Sequence, residues 1–429
     1  MSGTAELFIN VENASGTRQG SGPITGAIYW RQTKAMDRAG EFEAVLPLSD
    51  PAAANIQAEY VLRAYAIIPG TGTVEIGSGV VDDISYEPTE RGTIVRLKGL
   101  DEMRYLADRS VLFLALGGSG SPPTVSHATC VAALETYAPS GWTFVEDSSP
   151  PFDEIIYRYG GESVLQALIQ HANFSKTHFY LSGAKEVTFS STFSDSGITA
   201  ISMPPQGASQ SSQVAFISKY SYRKETKDII TRIYPYGGWY NGIVSDYFIP
   251  GVNEVNYGLG GGDPDYWASP KYTGYTDNRT DNWIEKDSAV AIYGRRESQI
   301  QYPQVKVTFF TGGYSDEIWR DLCRLIYNRA IAELDWRGLA AEFYTLELQN
   351  CSTVLQPLTT IRVMIQQAED NRSVFRVDEN LLILESTIEF SQGGLRTTKL
   401  EVTNAERYRM LDPWATVLFN NRYFDDQYT

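Results

Sequence analysis

From Glu6 to about Arg109, apolar and polar residues alternate in short runs. Turn residues break these runs at roughly ten-residue intervals, as antiparallel β-structure does. The clearest strands are Phe42-Glu43-Ala44-Val45-Leu46, Val61-Leu62-Arg63-Ala64-Tyr65-Ala66, Val74-Glu75-Ile76-Gly77 and Thr93-Ile94-Val95-Arg96-Leu97. Glu90-Arg91-Gly92 separates Ile84-Ser85-Tyr86 from the last of these, where glycine supplies the positive φ of a hairpin turn. Leu100, Met103 and Leu106 are spaced for one short helix closing the region. Residues 1–110 therefore read as a small antiparallel barrel or sandwich.

Gly117-Gly118-Ser119-Gly120-Ser121-Pro122-Pro123 has the composition of a linker, and past it the periodicity changes. Ser126 to Tyr137 and Ser163 to Ala172 carry helical spacing, the second with Val164, Leu165, Leu168 and Ile169 on one face. Phe179-Tyr180-Leu181 and Val187-Thr188-Phe189 read as strands, so residues 124–205 form an α+β middle domain. A polar stretch, Gln206 to Gln213, precedes renewed alternation at Val214-Ala215-Phe216-Ile217 and from Ile229 to Tyr234. The region 214–405 then reads as a second β domain with two insertions. One is a Gly/Tyr/Asp-rich loop over 236–281, too long for an ordinary connection. The other is a helix over 316–334, where Ile318, Leu322, Leu325, Ile326, Arg329, Ala330 and Ile331 lie near one stripe and Ser315 is placed as N-cap. Residues 406–429 are left as a C-terminal tail. The segments Val80–Leu97 and Leu382–Leu400 are both strand, Gly-bearing turn and strand of similar length, an internal echo that two related β domains or the commonness of hairpins would explain equally.

Composition narrows the choice of function. The chain has 429 residues, enough for two or three domains, and its 53 aromatics supply bulk for their cores. A net charge of −16 repels phosphate at long range, which argues against a sequence-reading or packaging role on DNA. Cys130, Cys323 and Cys351 lie far apart, which fits core packing better than disulfides or zinc. The N-terminus has no basic start followed by an apolar stretch, so no signal peptide is visible. The longest apolar run, Val111 to Leu116, is far below the ~20 residues of a membrane-spanning helix.

Candidate chemistry is sparse. His127, His171 and His178 belong to no zinc motif, and His171 and His178 read as capping or partly buried residues around a helix end. Gly117 to Ser121 lacks the final glycine of a nucleophile elbow, and Gly258 to Asp265 lacks the Lys-Ser/Thr of a phosphate loop. Asp277, Asp281, Asn278 and Asn282 offer oxygens for calcium, but Arg279 interrupts them and no bidentate Glu follows at the required spacing. No pair of carboxylates stands out for glycoside hydrolysis, whose geometry is spatial. The five Asn-x-Ser/Thr triplets matter only in a secretory pathway. No catalytic, cofactor or metal residue is therefore assigned and no cofactor is expected. The aromatic loop is the sharpest surface feature, with Trp239, Tyr240, Trp267 and Tyr272 as candidate interface residues. Such rings suit protein contacts and sugar platforms alike, and also plain packing onto their own domain.

Four segments carry a family resemblance. Ala39-Gly40-Glu41-Phe42-Glu43-Ala44-Val45-Leu46-Pro47, followed by Ser49-Asp50-Pro51, resembles an early strand of the hub or tail-tip proteins of tailed bacteriophages. Gly79-Val80-Val81-Asp82-Asp83-Ile84, running into Val95 to Asp101 and Leu106 to Arg109, is similar to the strand pair and short helix that end that family's first barrel. Asp287 to Glu297 resembles the run before the second barrel's return. Asn380 to Glu385 with Thr398 to Val402 resembles its closing strands. The matches follow the family's order along most of the chain. The resemblance implies an α+β, β-dominated structural protein of the virion with two small antiparallel β-barrels per subunit. Its homotrimer would form a pseudo-sixfold ring joining the tail tube to the tip, through which DNA passes without specific binding. Implied partners are the tail tube or distal tail protein, the tape-measure protein and tip or fibre proteins. No enzymatic activity and no stable membrane insertion are expected. Two rival readings stand beside it, a tail-associated cell-wall hydrolase and a receptor-binding lectin using Trp239, Tyr240 and Trp267.

Overall fold

In the computed structural model of the protein the described residues are 6–13, 16–68, 72–90, 92–116, 125–151, 153, 157–202, 213–238, 273–278, 281, 283–306, 327, 330–349, 351, 353–369, 372–391 and 396–404. Strands dominate. The first lobe contains β1 (Glu6–Glu12), β2 (Arg18–Ile24), β3 (Tyr29–Ala35), β4 (Glu41–Pro47), β5 (Val61–Ile68), β6 (Gly72–Thr89) and β7 (Gly92–Leu100). The middle unit follows with α1 (Arg104–Ala107), β8 (Ser110–Val111), β9 (Leu114–Leu116), α2 (His127–Glu135), β10 (Thr143–Val145), β11 (Tyr157–Tyr159), β12 (Glu162–Ser163), α3 (Val164–Ser175), β13 (His178–Gly183) and β14 (Glu186–Ser190). The second lobe begins with β15 (Ser194–Ile201) and β16 (Val214–Glu225). An inserted unit then holds β17 (Arg232–Gly238), β18 (Tyr275–Asn278), β19 (Trp283–Lys286), α4 (Asp287–Tyr293), β20 (Glu297–Lys306) and helical residues 330–337. The lobe resumes with β21 (Ala341–Gln349), β22 (Thr359–Glu369), β23 (Arg372–Ser391) and β24 (Arg396–Asn404).

Thirteen strands form one sheet in the order β2-β1-β5-β6-β7-β4-β3-β23-β22-β15-β16-β21-β24, and β24 also pairs with β23. The six strands of the second lobe therefore return on themselves, whereas the first seven end, among the described residues, at the edge of β2. The two lobes repeat one plan. Within each, β5-β6-β7-β4-β3 and β22-β23-β24-β21-β16 are antiparallel throughout. Each long central strand carries a register shift at the same place, skipping Asp82 between Val81 and Asp83 and skipping Leu384 between Ile383 and Glu385. The echo between Val80–Leu97 and Leu382–Leu400 is thus a correspondence of pairing and bulge as well as of length.

Alternation along the strands selects the core face. In the first lobe Trp30, Phe42, Ala44, Leu46, Val95 and Leu97 point inward together, and Gly79 is required beside them because a Cβ there would lie 2.1 Å from the Phe42 ring. Ile388 and Phe390 of β23 complete this core, which ties the second lobe to the first. Burying two such side chains contributes ~1.5–3 kcal/mol each. The largely exposed Arg38–Glu385 ion pair beside them contributes about 0–1 kcal/mol, so apolar packing holds the joint.

Helix starts in the middle unit follow their caps. Ser163 accepts from the Gln166 amide while Gln166 reaches back to the Ser163 amide, and Ser126 caps α2 by accepting from the Thr129 amide. Leu106 of α1 and its N-cap residue Met103 enter the middle core, together with Cys130, Leu134, Leu168 and Phe179. The inserted unit stands where the first lobe has only the β3–β4 turn. Its core is Ile230, Ile233, Ile284, Ala330, Ile331 and Leu334. Of the helix expected over 316–334, residues 327 and 330–334 are helical and the turns run on to Arg337, with the rest outside the described residues. The linker 117–123, Cys323 and the tail 406–429 also lie outside them.

Candidate functional site

Trp239, Tyr240, Trp267 and Tyr272 lie outside the described residues, as does most of the loop 236–281, so the site is sought among the remaining buried titratable groups, hollows and seams.

Two histidines that the sequence leaves unconnected meet inside the middle unit. His127 at the start of α2 and His171 within α3 are both fully buried, with rings stacked at 4.8 Å and Nδ1 of His127 2.9 Å from Nε2 of His171. The Asp147 amide donates to Nε2 of His127 at 3.3 Å, which assigns that ring's proton to Nδ1, the atom donating to His171. His171 then carries its own proton on Nδ1, which has no partner among the described residues. Burial pushes both rings below the ordinary imidazole range, His171 to about 3 with help from its neighbour. His171 is therefore an interior core residue and not one at a helix end. His178 is half-buried just after α3, and its Nδ1 lies 2.7 Å from Oδ2 of Asp37. The sequence signal for the His127–His171 pair is only the scarcity of histidine, since 44 residues separate them.

Two adjacent carboxylates are buried between the first lobe and the middle unit. Asp101 accepts from the amides of Gly40 at 2.7 Å and Met103 at 2.9 Å, and burial pushes it up to about 7. Glu102 accepts from Ser78 Oγ and Arg63 Nη2, both at 2.8 Å, and burial raises it as well. At 1% and 0% exposure they face no substrate-sized opening, and their bonds bind backbone and Arg63, so they act as joints. Cys130 and Cys351 are buried, and burial pushes the Cys130 thiol up to about 12, away from reactivity. Among the described residues no cluster of three or more His, Cys, Asp or Glu could hold a metal. Asp277 lies in β18, and Asn278 donates to Oδ2 of Asp281 at 2.9 Å and accepts from the Asp281 amide at 3.1 Å.

A seam joins the units at the β3–β4 turn. Met36 N–H donates to Leu384 O, Asp37 exchanges backbone and side-chain bonds with Phe179, and Arg38 pairs with Glu385. One β3–β4 turn thus touches both lobes and the middle unit. Across the outer face beside it, charges alternate from strand to strand: Lys399 with Glu389, Glu389 with Arg31, Glu43 with Arg96, and Arg96 with Glu87. A hollow of about 310 Å³ opens there, lined by Arg31, Glu41, Glu43, Asp82 and Lys98. Such a mixed-charge, shallow face suits protein contact and presents no acid–base or nucleophile constellation.

No protein-family model matches the sequence, and no curated protein matches it. Solved structures do. A tail protein from Neisseria meningitidis MC58 superposes with a TM-score of 0.58 at 12% identity, covering 94% of this chain and 99% of that one. Prophage tail protein gp18 from Listeria monocytogenes EGD-e gives 0.54 at 11% identity over 92% and 94%. The 43 kDa tail protein of prophage MuSo2 from Shewanella oneidensis gives 0.53 at 12% identity over 94% and 99%. At these identities the likeness is one of fold, and it spans essentially whole chains.

Proposed function

We propose that this chain is a structural protein of a bacteriophage tail or prophage-derived tail, serving as the hub between tail tube and tip. The observation that carries this is the end-to-end fold likeness to three tail proteins. The internal repeat supports the hub role: two lobes of one plan in each chain would let three copies present six similar units to a sixfold tube. Each lobe would then be one barrel-like unit of the ring, and DNA would pass through it unbound. The tube or distal tail protein, the tape-measure protein and tip or fibre proteins are the partners this role requires, and the tail tip of the virion is its place.

Light scattering of the purified full chain, with electron microscopy of tails labelled on it, tests the role. The expected results are a mass of three chains and label at the tip. A single-chain mass together with label absent from tails would overturn it.

A further inference from the structure

The repeat of the two lobes leaves two strand edges unmatched within one chain. Residues of β23 beyond its bulge pair with β24 on one side and with β3 on the other, from Glu385 opposite Ala35 to Ser391 opposite Tyr29. This is the contact that joins the lobes. The corresponding part of β6, Asp83–Thr89, pairs with β7 on one side, and among the described residues no strand lies on its other side. The counterpart of β3 is β16, because β3 pairs with β4 as β16 pairs with β21. Its stretch Ser221–Glu225 pairs with β21, while β15 reaches only Val214 to Phe216 on the far side. One lobe thus has an unused acceptor edge and the other an unused donor edge of the kind already joined inside the chain.

Side chains on these edges are of mixed charge and include two exposed rings, Tyr86 and Tyr222. Inside the chain, Arg31 of β3 stands opposite Glu389 of β23 and reaches it at 4.0 Å, while Lys34 stands opposite Ser386 and Glu385 opposite Ala35. The unused edges carry Lys219, Arg223, Lys224 and Glu225 on β16 and Asp83 and Glu87 on β6, with Arg223 paired to Glu225 and Lys224 to Glu342 within the chain. Carrying the internal register over through the shared bulge places Asp83 opposite Glu225, a pair of like charge, Ile84 opposite Lys224, Ser85 opposite Arg223, Tyr86 opposite Tyr222 and Glu87 opposite Ser221, leaving Glu87 diagonal to Lys219 and Arg223. Inside the chain the equivalents of Tyr86 and its neighbour, Ile388 and Phe390, are 3% and 1% exposed against Trp30. Tyr86 is 57% exposed and Tyr222 38%, and Tyr222 heads an aromatic group with Tyr344 and Phe375 at 5.0 and 5.3 Å. An interface at this place would cover both rings.

We propose that the β6 edge Asp83–Glu87 of one copy of this chain pairs antiparallel with the β16 edge Ser221–Glu225 of a second copy, Tyr86 opposite Tyr222. The contact is heterologous, so each copy uses both edges and copies add head to tail until the ring closes. It rests on the ring proposed above only in requiring that copies of the chain meet.

The test introduces cysteines in the full chain. Tyr86→Cys chains are mixed with Tyr222→Cys chains, bridged with a short bis-maleimide and run on a denaturing gel, while Tyr86→Lys is weighed by light scattering. The expected outcome is a covalent dimer from the mixture and not from either variant alone, higher covalent multiples from the double variant, and at least a tenfold weaker self-association of Tyr86→Lys. Tyr86 is exposed, so its variants keep the fold, which circular dichroism checks. A multimeric wild type whose mass survives Tyr86→Lys and which gives no bridged dimer would overturn this contact and leave the ring standing. A wild type of single-chain mass in solution and in tails would overturn both.

Discussion

A proton has nowhere comfortable to go in the middle unit. A second proton on His171 would have to sit on Nε2, facing the Nδ1–H of His127, and one on His127 Nε2 would displace the Asp147 amide. Asp147, Asp153 and Glu146 pull the other way on His127, but burial outweighs them. Because the folded values lie below the ordinary one, the unfolded chain takes up protons first. For His171 the contribution is therefore full above about pH 6.5 and falls as the pH drops toward 3, by up to ~1.4 kcal/mol per pH unit, and His127 acts in the same direction. His171→Gln keeps an acceptor for His127 and removes one titration. Thermal melts of the variant are expected to lose less stability between pH 7 and 5 than the wild type, and equal slopes would refute the assignment. Asp101 titrates in the opposite sense, its raised value favouring the fold in acid, and it is common to both proteins, so the difference isolates the histidine.

Among the elements, the hairpin of β6 and β7 was plain in the sequence because alternation and Gly92 fix it locally, and Gly92 has φ +122°. Local rules could not give the bulge at Asp82 or the close approach at Gly79, since both answer to strands far along the chain. Gly79→Ala would drive a methyl into the Phe42 ring, forcing the ring out of the core against Trp30. We expect a loss of ~1–3 kcal/mol in urea unfolding with the fold otherwise retained. Unchanged stability would mean that Phe42 moves freely. The α3 helix was likewise visible from its stripe, but its capping box and its left-handed end at Lys176, with φ +58°, place its limits at Val164 and Ser175.

For the whole molecule, the β3–β4 turn decides how the units sit. Asp37 holds a positive φ and accepts from the Phe179 amide at 2.9 Å while facing His178. Asp37→Gly keeps that backbone conformation and removes both oxygens, at a cost of about 1–3 kcal/mol to the joint. Calorimetry should then resolve a middle-unit transition separate from the lobes, whereas one unsplit transition would show that apolar packing alone couples them. By itself the sequence determined the dominance of strands and the helices that start after Ser126 and Ser163, because periodicity, capping and turn chemistry act over a few residues. Only the tertiary structure decided that β3 pairs with β23, that His127 meets His171 and that the lobes share one sheet. Those contacts join residues tens to hundreds of positions apart, and nothing in the local pattern of either partner specifies the other.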